Sequence, residues 1–296
     1  MNAPARNIET SISESTFKKI AAIAHDEAGI ILSNSKQSMV KSRLTKRLRA
    51  LEIRDFDSYL VFLQNGQNLD EMKHFISALT TNVSHFFRET HHFDTLKKTI
   101  LPELQNKLKR GEKVRIWSAG CSNGQEPYSI AMALLDVDET IAAQDIKILA
   151  TDIDPEVLAH AVSGRYAGAM TSGLTDNVIK NYFSIENVRG EEIFQIKQQV
   201  KDLVSFRQLN LHADWPMRGS FDVIFCRNVV IYFDDATQAK LYKRFHSAMT
   251  ENGWLLLGHS ERLNSDSSKL FKSAGVTTYR PNLRQQNLRL SPQLET

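Results

Sequence analysis

Residues 114–128 combine a turn of small residues with a carboxylate in a pattern that suits a nucleoside-type ligand. An apolar strand pattern, Val114–Trp117, leads into a turn holding Gly120 and Gly124, and an apolar helix pattern begins at Glu126-Pro127. A strand, a glycine turn and a helix N-terminus form the nucleotide-binding crevice of many α/β proteins. The spacing is not G-x-G-x-x-G, and a carboxylate at Glu126 would repel a pyrophosphate. The turn therefore predicts a cationic ligand without phosphate, such as S-adenosylmethionine.

Two later strand ends carry further polar side chains. Asp152 ends an apolar run, where a carboxylate can accept hydrogen bonds from both hydroxyls of a ribose. Arg227, Asn228 and Tyr232 follow the apolar run Phe221–Phe225. Ligands bind beyond the carboxyl ends of the strands in open α/β sheets, so these residues are candidates for the same site. The alternatives are a strand-end cap for Asp152 and a buried polar network without a ligand for the others.

Two groups of basic residues precede the α/β pattern. Arg88 follows two phenylalanines and could clamp a carboxylate bidentately, although an arginine taken alone is more often part of a surface ion pair. Arg43, Lys46 and Arg49 lie off the narrow apolar stripe of a predicted helix, Lys36–Leu51. They form either a solvated face or a docking surface for an acidic helix.

The elements that must position these residues fall into two patterns. Helical spacing of apolar residues dominates the first third of the chain, and a charged helix, about 89–109, ends it. Strands predicted at 114–117, 146–150, 221–225 and 254–257 then alternate with helices at 127–135, 155–162 and 235–249, which indicates a parallel α/β sheet. Short strands at 193–196 and 203–206 predict an inserted antiparallel β-subdomain, about 175–207. The polar ends, 1–15 and 285–296, are predicted to be mobile tails.

The composition of the chain excludes several classes of protein. The chain has 296 residues, 42% of them hydrophobic, which is enough for two modest domains. No apolar run approaches the ~18 residues of a membrane span, and the first 15 residues do not resemble a secretory signal. Two cysteines and no metal-ligand spacing favour a cytoplasmic protein without a metal. Residues 1–110 carry 17 Lys/Arg and 12 Asp/Glu, an excess that suits an acidic partner but is too small to indicate nucleic acid.

Several motifs in order resemble the CheR family of chemotaxis receptor methyltransferases. They are Thr-Asn-x-Ser-x-Phe-Phe-Arg-Glu (81–89), Gly-Gln-Glu-Pro-Tyr-Ser (124–129), Ala-Thr-Asp-Ile-Asp (150–154), Asn-Leu (210–211), Phe-Cys-Arg-Asn-Val-Val-Ile-Tyr-Phe (225–233) and Gly-His-Ser-Glu (258–261). The resemblance runs from about Phe17 to Tyr279. It implies an all-helical N-terminal domain (16–88), a linker helix (89–110) and a class I, Rossmann-like methyltransferase domain (111–284) that holds the β-subdomain.

The resemblance also implies roles for individual residues. Arg88 and Tyr232 would lie closest to the reaction. Ser84 stands where the family usually has threonine, and its hydroxyl is retained. The cofactor, S-adenosylmethionine, and its product, S-adenosylhomocysteine, would be bound by Asn82, Ser84, Arg88, Glu126, Asp152, Asn210, Leu211, Arg227 and Asn228.

Family members methylate glutamate side chains on the cytoplasmic helical bundle of chemoreceptors. The resemblance therefore implies a cytoplasmic enzyme recruited to membrane-bound receptors without inserting into the membrane. Arg43, Lys46 and Arg49 would dock the bundle. Some members also grip a receptor's C-terminal peptide through a glycine-rich turn in the β-subdomain, whereas the matching turn here, 185–193, has only Gly190. The alternative functions are a small-molecule methyltransferase and a non-catalytic module that binds cofactor and receptor; a nicotinamide dehydrogenase is disfavoured by Glu126.

Overall fold

The computed structural model describes residues 11–65 and 69–282, apart from the side chain of Leu69. The predicted tails therefore lie outside the described residues except for 11–15. Residues 11–13 precede a helix that begins at Glu14, because the Ser13 side chain accepts a hydrogen bond from the Thr16 amide and caps it. The helices of this first part are α1 Glu14–Ala28, α2 Gln37–Ala50, α3 Phe56–Gln64 and α4 Leu69–Leu79.

The helical domain has a core of its own. Phe17, Ile20, Leu44, Leu48 and Phe75 are among the buried side chains that pack together there. They come from the apolar stripes of α1, α2 and α4, so the helical spacing in the sequence leads directly to this core. An all-helical N-terminal domain is confirmed.

The charged helix predicted for 89–109 is present with an irregularity. It consists of α5 Thr90–Thr95, a π-helical turn Leu96–Ile100 and α6 Leu101–Lys109. Leu96, Ile100 and Leu104 are buried in the core that the sheet also lines. This segment therefore packs as part of the α/β domain and not as a free linker.

The main sheet has the order β6-β2-β1-β7-β8-β10-β9. Its first five members pair in parallel, and the last two are antiparallel to their neighbours. The four strands predicted for it are confirmed. The strands of the main sheet are β1 Val114–Ala119, β2 Ile146–Asp152, β6 Val204–Gln208, β7 Phe221–Cys226, β8 Met249–Leu257, β9 Phe271–Gly275 and β10 Thr278–Pro281.

Helices cover the main sheet. The predicted starts at 155 and 235 agree with the observed caps, whereas the helix predicted from 127 begins at Gln125. Pro155 begins its helix after Asp154, whose side chain accepts a hydrogen bond from the Glu156 amide. Both cysteines, Cys121 and Cys226, are free and buried. The helices of this part are α7 Gln125–Val137, α8 Pro155–Ser163, α9 Asp176–Tyr182, α10 Gln198–Lys201 and α11 Asp235–Ala248.

The inserted β-subdomain is present, but its predicted limits are wrong. It is a three-stranded antiparallel sheet of β3 Arg165–Ala167, β4 Phe183–Val188 and β5 Glu191–Ile196, in the order β3-β5-β4. The run at 203–206 was assigned to this appendage, whereas β6 extends the main sheet in parallel with β2. A short strand at a sheet edge has the same pattern in either sheet, so its partner is decided by tertiary packing.

Candidate active site

A deep cleft opens where β1, β2 and β7 end, facing the helical domain. It encloses about 1030 Å³ of empty space, counting the part that is open to solvent. Residues of the helical domain, among them Ala28 and Ile30, form one wall. The structure brings every predicted cofactor and catalytic residue to this cleft: Asn82, Ser84, Arg88, Glu126, Asp152, Asn210, Leu211, Arg227, Asn228 and Tyr232.

The glycine turn after β1 forms the floor. Gly120 and Gly124 have φ of +85° and +89°, in the left-handed region that favours glycine. A side chain on Gly120 would collide with Val229, so glycine is also needed for close packing of the turn against the loop after β7. Gly120, Cys121 and Ser122 of this turn line the cleft.

Asp152 lies at the end of β2 beside this turn. Its two carboxylate oxygens accept hydrogen bonds from the amides of Ser122 (2.8 Å) and Asp154 (3.0 Å). Burial raises the pKa of Asp152 to about 6, although these amides oppose the rise. Each oxygen retains acceptor capacity toward the cleft, as a ribose diol requires.

Glu126 faces the cleft but already has partners in the protein. Its oxygens accept a hydrogen bond from the Ser118 hydroxyl (2.7 Å) and pair with the Arg227 guanidinium (3.2 Å). Burial raises the pKa of Glu126, while the charge of Arg227 and the Ser118 bond lower it. Glu126 was predicted to suit a cationic ligand, and in the structure the Arg227 guanidinium already lies beside its carboxylate.

The segment 80–89 crosses from the helical domain and closes one side of the cleft. The side-chain amide of Asn82 donates a hydrogen bond to the Asp154 carboxylate (2.8 Å). The Ser122 hydroxyl donates to the backbone carbonyl of Asn82 (3.0 Å). Arg88 reaches across the cleft and donates to the side-chain oxygen of Asn228 (2.9 Å). Arg88 is therefore tied to the loop after β7, and within residues 11–65 and 69–282 it does not form the surface ion pair considered as its alternative.

Tyr232 reaches the cleft from the opposite side and is held by the helical domain. Its carbonyl accepts a hydrogen bond from the Ile31 amide (2.9 Å), and the Lys36 ammonium lies 6.0 Å from the centre of its ring. Arg88 and Tyr232, 144 positions apart in the chain, thus line one cleft.

Comparison with known proteins assigns the chain to a family. Residues 15–80 match the CheR methyltransferase all-alpha domain, and residues 82–280 match the CheR methyltransferase S-adenosylmethionine-binding domain. The chain belongs to the CheR methyltransferase family. A "Probable chemotaxis protein methyltransferase" of Rhizobium etli is 45% identical over 86% of this chain and 96% of its own length. The "Chemotaxis protein methyltransferase" of Escherichia coli K12 is 39% identical over 91% of each chain.

The predicted fold class is therefore confirmed, as is the methyltransferase family. This CheR methyltransferase is dependent on S-adenosylmethionine. In residues 11–65 and 69–282, no helix is long and apolar enough to cross a membrane. Across the same ranges, no group of three or more His, Cys, Asp or Glu side chains is arranged to hold a metal ion.

The residues of this CheR cleft fit the cofactor chemically. S-adenosylmethionine offers a ribose diol, a sulfonium, an ammonium and a carboxylate. Asp152 and Glu126 would offer acceptors to the diol and to the cationic groups, and Arg88 would offer a guanidinium. The side chains of Leu211 and Val229 form an apolar part of the cleft wall. The side chain of Asn210 is engaged elsewhere, donating to the Glu27 carbonyl (2.7 Å) and accepting from the His212 amide (2.9 Å), so a ligand would meet its backbone.

Sequence reasoning missed Glu261, which supports the cleft of this CheR chain from behind. Its buried carboxylate accepts hydrogen bonds from the amides of Gly258 (2.6 Å), Asn228 (2.9 Å), Val229 (2.8 Å) and Val230 (2.8 Å). One side chain thus shapes the loop that carries Arg227, Asn228 and Tyr232. The motif Gly-His-Ser-Glu signalled Glu261, but nothing in its spacing showed which amides it would meet.

The three basic residues predicted to dock a partner do not share one environment. Arg43 is half-buried, and its guanidinium donates to the carbonyls of Ala78 (3.3 Å) and Thr80 (2.5 Å) and to the Thr81 hydroxyl (3.1 Å). Lys46 and Arg49 are exposed on the same helix. Arg43 therefore satisfies the carbonyls at the end of α4, and only Lys46 and Arg49 present their charge to solvent.

Proposed function

We propose that this protein transfers a methyl group from S-adenosylmethionine to glutamate side chains on the cytoplasmic helices of chemoreceptors. The products are glutamate methyl esters and S-adenosylhomocysteine. The observation that carries the proposal is the convergence of Arg88 and Tyr232 on a cleft that also presents Asp152 and Glu126. Relatives that span most of the chain and are named chemotaxis protein methyltransferases support the choice of substrate.

Methyl transfer to a glutamate side chain requires little acid–base catalysis from the protein. Its carboxylate is ionised at neutral pH and needs no general base before it attacks. When bound, S-adenosylmethionine supplies a methyl group on a positively charged sulfur. The protein must then hold the two reactants in line, exclude water and keep the acceptor oxygen nucleophilic.

The side chains of the cleft divide this work. Asp152 accepts hydrogen bonds from the ribose hydroxyls, and Glu126 attracts the cationic end of the cofactor. Tyr232 hydrogen-bonds the acceptor carboxylate or shapes its pocket. Arg88 helps to orient the reacting groups from the other side. It acts best by orientation, because a tight ion pair with the acceptor oxygen would quench its nucleophilicity.

The partner implied by this reaction is the acidic helical bundle of a chemoreceptor. Lys46 and Arg49 would dock it, since their charges are exposed and not needed by the core. Binding of a receptor's C-terminal peptide stays a prediction for the β-subdomain. Its hairpin turns at Arg189-Gly190, both with positive φ, which leaves one glycine where a glycine-rich turn is expected.

Incubation with radiolabelled S-adenosylmethionine and receptor-rich membranes tests the function. We expect label in the receptor that is released as methanol by mild base, because a glutamate methyl ester hydrolyses readily. Tyr232→Phe and Arg88→Ala variants serve as controls for the site. Calorimetry should show binding of S-adenosylhomocysteine tighter than that of S-adenosylmethionine. Absence of cofactor binding at millimolar concentration would contradict the proposal, as would base-stable label.

A further inference from the structure

Glu89 lies directly behind Arg88, and its carboxylate gathers groups from three separate segments. One oxygen accepts from the backbone amide of His259 (3.1 Å), from its ring Nδ1 (2.9 Å) and from the side chain of Asn228 (3.3 Å). The other pairs with the guanidinium of Arg227 (3.2 Å) and lies 3.3 Å from Nδ1 of His92. Only 9% of this side chain is exposed.

The same cluster reaches Arg88 through the backbone. The Arg227 guanidinium, held between Glu89 and Glu126, also donates to the carbonyl of Arg88. Arg88 in turn donates to Asn228, which Glu89 contacts directly. Glu89 therefore touches the neighbours of Arg88 on both sides.

The local backbone needs such support. Phe87 and Glu89, which flank Arg88, have φ of +53° and +58°, and Asn228 has φ of +59°. Residues with side chains adopt this region at a cost and stay there when their surroundings hold them. Although burial opposes ionisation, the neighbouring His92 ring, the hydrogen bond from His259 and the charge of Arg227 hold the pKa of Glu89 well below its usual range. The carboxylate is thus charged at neutral pH and can hold a guanidinium.

We propose that Glu89 is a positioning residue for methyl transfer, whose carboxylate holds Arg88, Arg227 and Asn228 in the arrangement that serves cofactor and acceptor. The expected effect of Glu89 on the methylation rate rests on the proposed function. Its expected effect on cofactor affinity requires only that the protein binds the cofactor. Glu89 does not face the reactants, so it acts through these three residues. Its loss should change how well they are placed without removing any of them.

A double-variant cycle with Arg88 tests the kinetic part. Single-turnover methylation is measured for wild type, Glu89→Gln, Arg88→Ala and the double variant, at saturating cofactor and receptor. We expect Glu89→Gln alone to slow the step about tenfold or more, and to slow the Arg88→Ala protein less than about threefold. Residues that act as a unit lose activity non-additively. Losses that simply multiply would show that Glu89 does not act through Arg88 and would overturn the proposal.

Cofactor binding tests the remainder without a receptor. We expect S-adenosylhomocysteine to bind Glu89→Gln about fivefold or more weakly than wild type, because Arg227 and Asn228 lose their anchor. Glu112→Gln is the matched control, since Glu112 is exposed and pairs only with Arg110 (2.6 Å) among the described residues. Equal affinities of Glu89→Gln and Glu112→Gln would overturn the proposal. A failure of wild type to methylate receptors would instead contradict the proposed function, and this binding comparison would still decide the role of Glu89.

A milder variant covers the case in which Glu89→Gln does not fold. His259 is 63% exposed and bonds Glu89 from the solvent side. His259→Ala should leave folding unchanged and lower the single-turnover rate by a few fold, again with less effect in the Arg88→Ala background. An unchanged rate in folded His259→Ala, together with an unfolded Glu89→Gln, would assign Glu89 to folding alone.

Discussion

At the scale of single residues, the polar groups of the cleft are paired with the protein itself. Asp152 receives backbone amides, Glu126 shares a charge with Arg227, and Asn228 is fixed through both its backbone and its side chain. A site built in this way needs little reorganisation when reactants bind, which is how preorganised dipoles lower a barrier. Substitutions that leave this pairing intact should therefore affect single steps selectively.

Tyr232→Phe should lower turnover with little change in cofactor affinity. The substitution removes one hydroxyl and keeps the ring that packs at the cleft wall. Loss of one well-placed hydrogen bond costs about 1–3 kcal/mol, roughly 5- to 150-fold in rate. Initial rates of receptor methylation at saturating cofactor measure the effect, and S-adenosylhomocysteine affinity is the control. A variant with full activity would show that the Tyr232 hydroxyl takes no part in the reaction.

Cofactor affinity should depend on pH through Asp152. The role proposed for Asp152 requires its carboxylate form, and burial raises the pKa of this group to about 6. Affinity should therefore be constant above about pH 7 and fall below pH 6, toward tenfold per pH unit if the protonated form does not bind. Calorimetry with S-adenosylhomocysteine from pH 5 to 8 checks this. Asp152→Asn should bind weakly with a flat profile, and a sloping profile in that variant would assign the titration to another group.

At the scale of elements, the basic side chains of α2 have two different environments. Arg47 forms a bidentate pair with Glu71 of α4 and Arg43 satisfies the end of α4, so both contribute to the helical domain itself. Lys46 and Arg49 remain exposed. Charge reversal on α2 therefore has two distinct consequences, and only the exposed pair offers a clean test of docking.

Lys46→Glu combined with Arg49→Glu should raise the KM for receptor strongly and leave kcat and cofactor affinity nearly unchanged. Docking stabilises ground and transition states alike, so its loss appears in KM. Initial rates against receptor concentration measure this at low and high salt. The wild-type rate should fall with salt, since exposed charges are screened over ~8–10 Å at physiological ionic strength.

The matched control is Lys109→Glu with Lys113→Glu, an equal charge change on exposed residues of the α/β domain. Equal rate curves for the two double variants would leave Lys46 and Arg49 as part of an ordinary solvated surface. Arg43→Glu should behave differently from both, lowering the melting temperature, because it leaves the carbonyls of Ala78 and Thr80 without their donor.

At the scale of the whole molecule, the cleft exists because the helical domain closes it. The connection after α1 contributes Ala28 and Ile30 to its wall, and the Ile31 amide holds the carbonyl of Tyr232. His25 adds a contact of 2.7 Å with Asp234, which caps α11. The relative placement of the two domains therefore decides the shape of the cleft around Tyr232.

The His25–Asp234 contact should make stability depend on pH in a defined direction. The hydrogen bond with Asp234 raises the pKa of His25. A raised folded-state pKa gives a contribution that is full below the unfolded value of about 6.5 and is lost as pH rises through the folded value. The melting temperature of wild type should therefore exceed that of His25→Ala at pH 6 and approach it at pH 8.

The difference should correspond to less than about 1 kcal/mol, because the pair is partly exposed. Thermal unfolding of both proteins at pH 6, 7 and 8 measures it, and repetition in high salt should shrink the gap at pH 6. A gap that grows with pH would contradict the assignment to His25.

Much of this protein was predictable from local pattern. Helical spacing in α1, α2 and α4, the apolar runs of β1, β2, β7 and β8 and the Asp154-Pro155 start of α8 all have short-range causes, and they are found where they were predicted. The carboxyl ends of parallel strands share one edge, so a cleft near Asp152 and Arg227 also followed from the sequence. The family motifs added Arg88 and Asn82, which no strand pattern would have placed there.

Tertiary structure alone decided the partners of these groups. The strand β6 joined the main sheet, Arg43 turned to the end of α4, and Glu126 acquired Arg227. Glu89 pairs with Arg227, 138 positions further along the chain, and Glu261 accepts hydrogen bonds from the amides of the loop after β7. Hydrogen bonds and ion pairs depend on distances of a few ångströms between segments that the chain folds together, and residue spacing along the sequence does not contain that information.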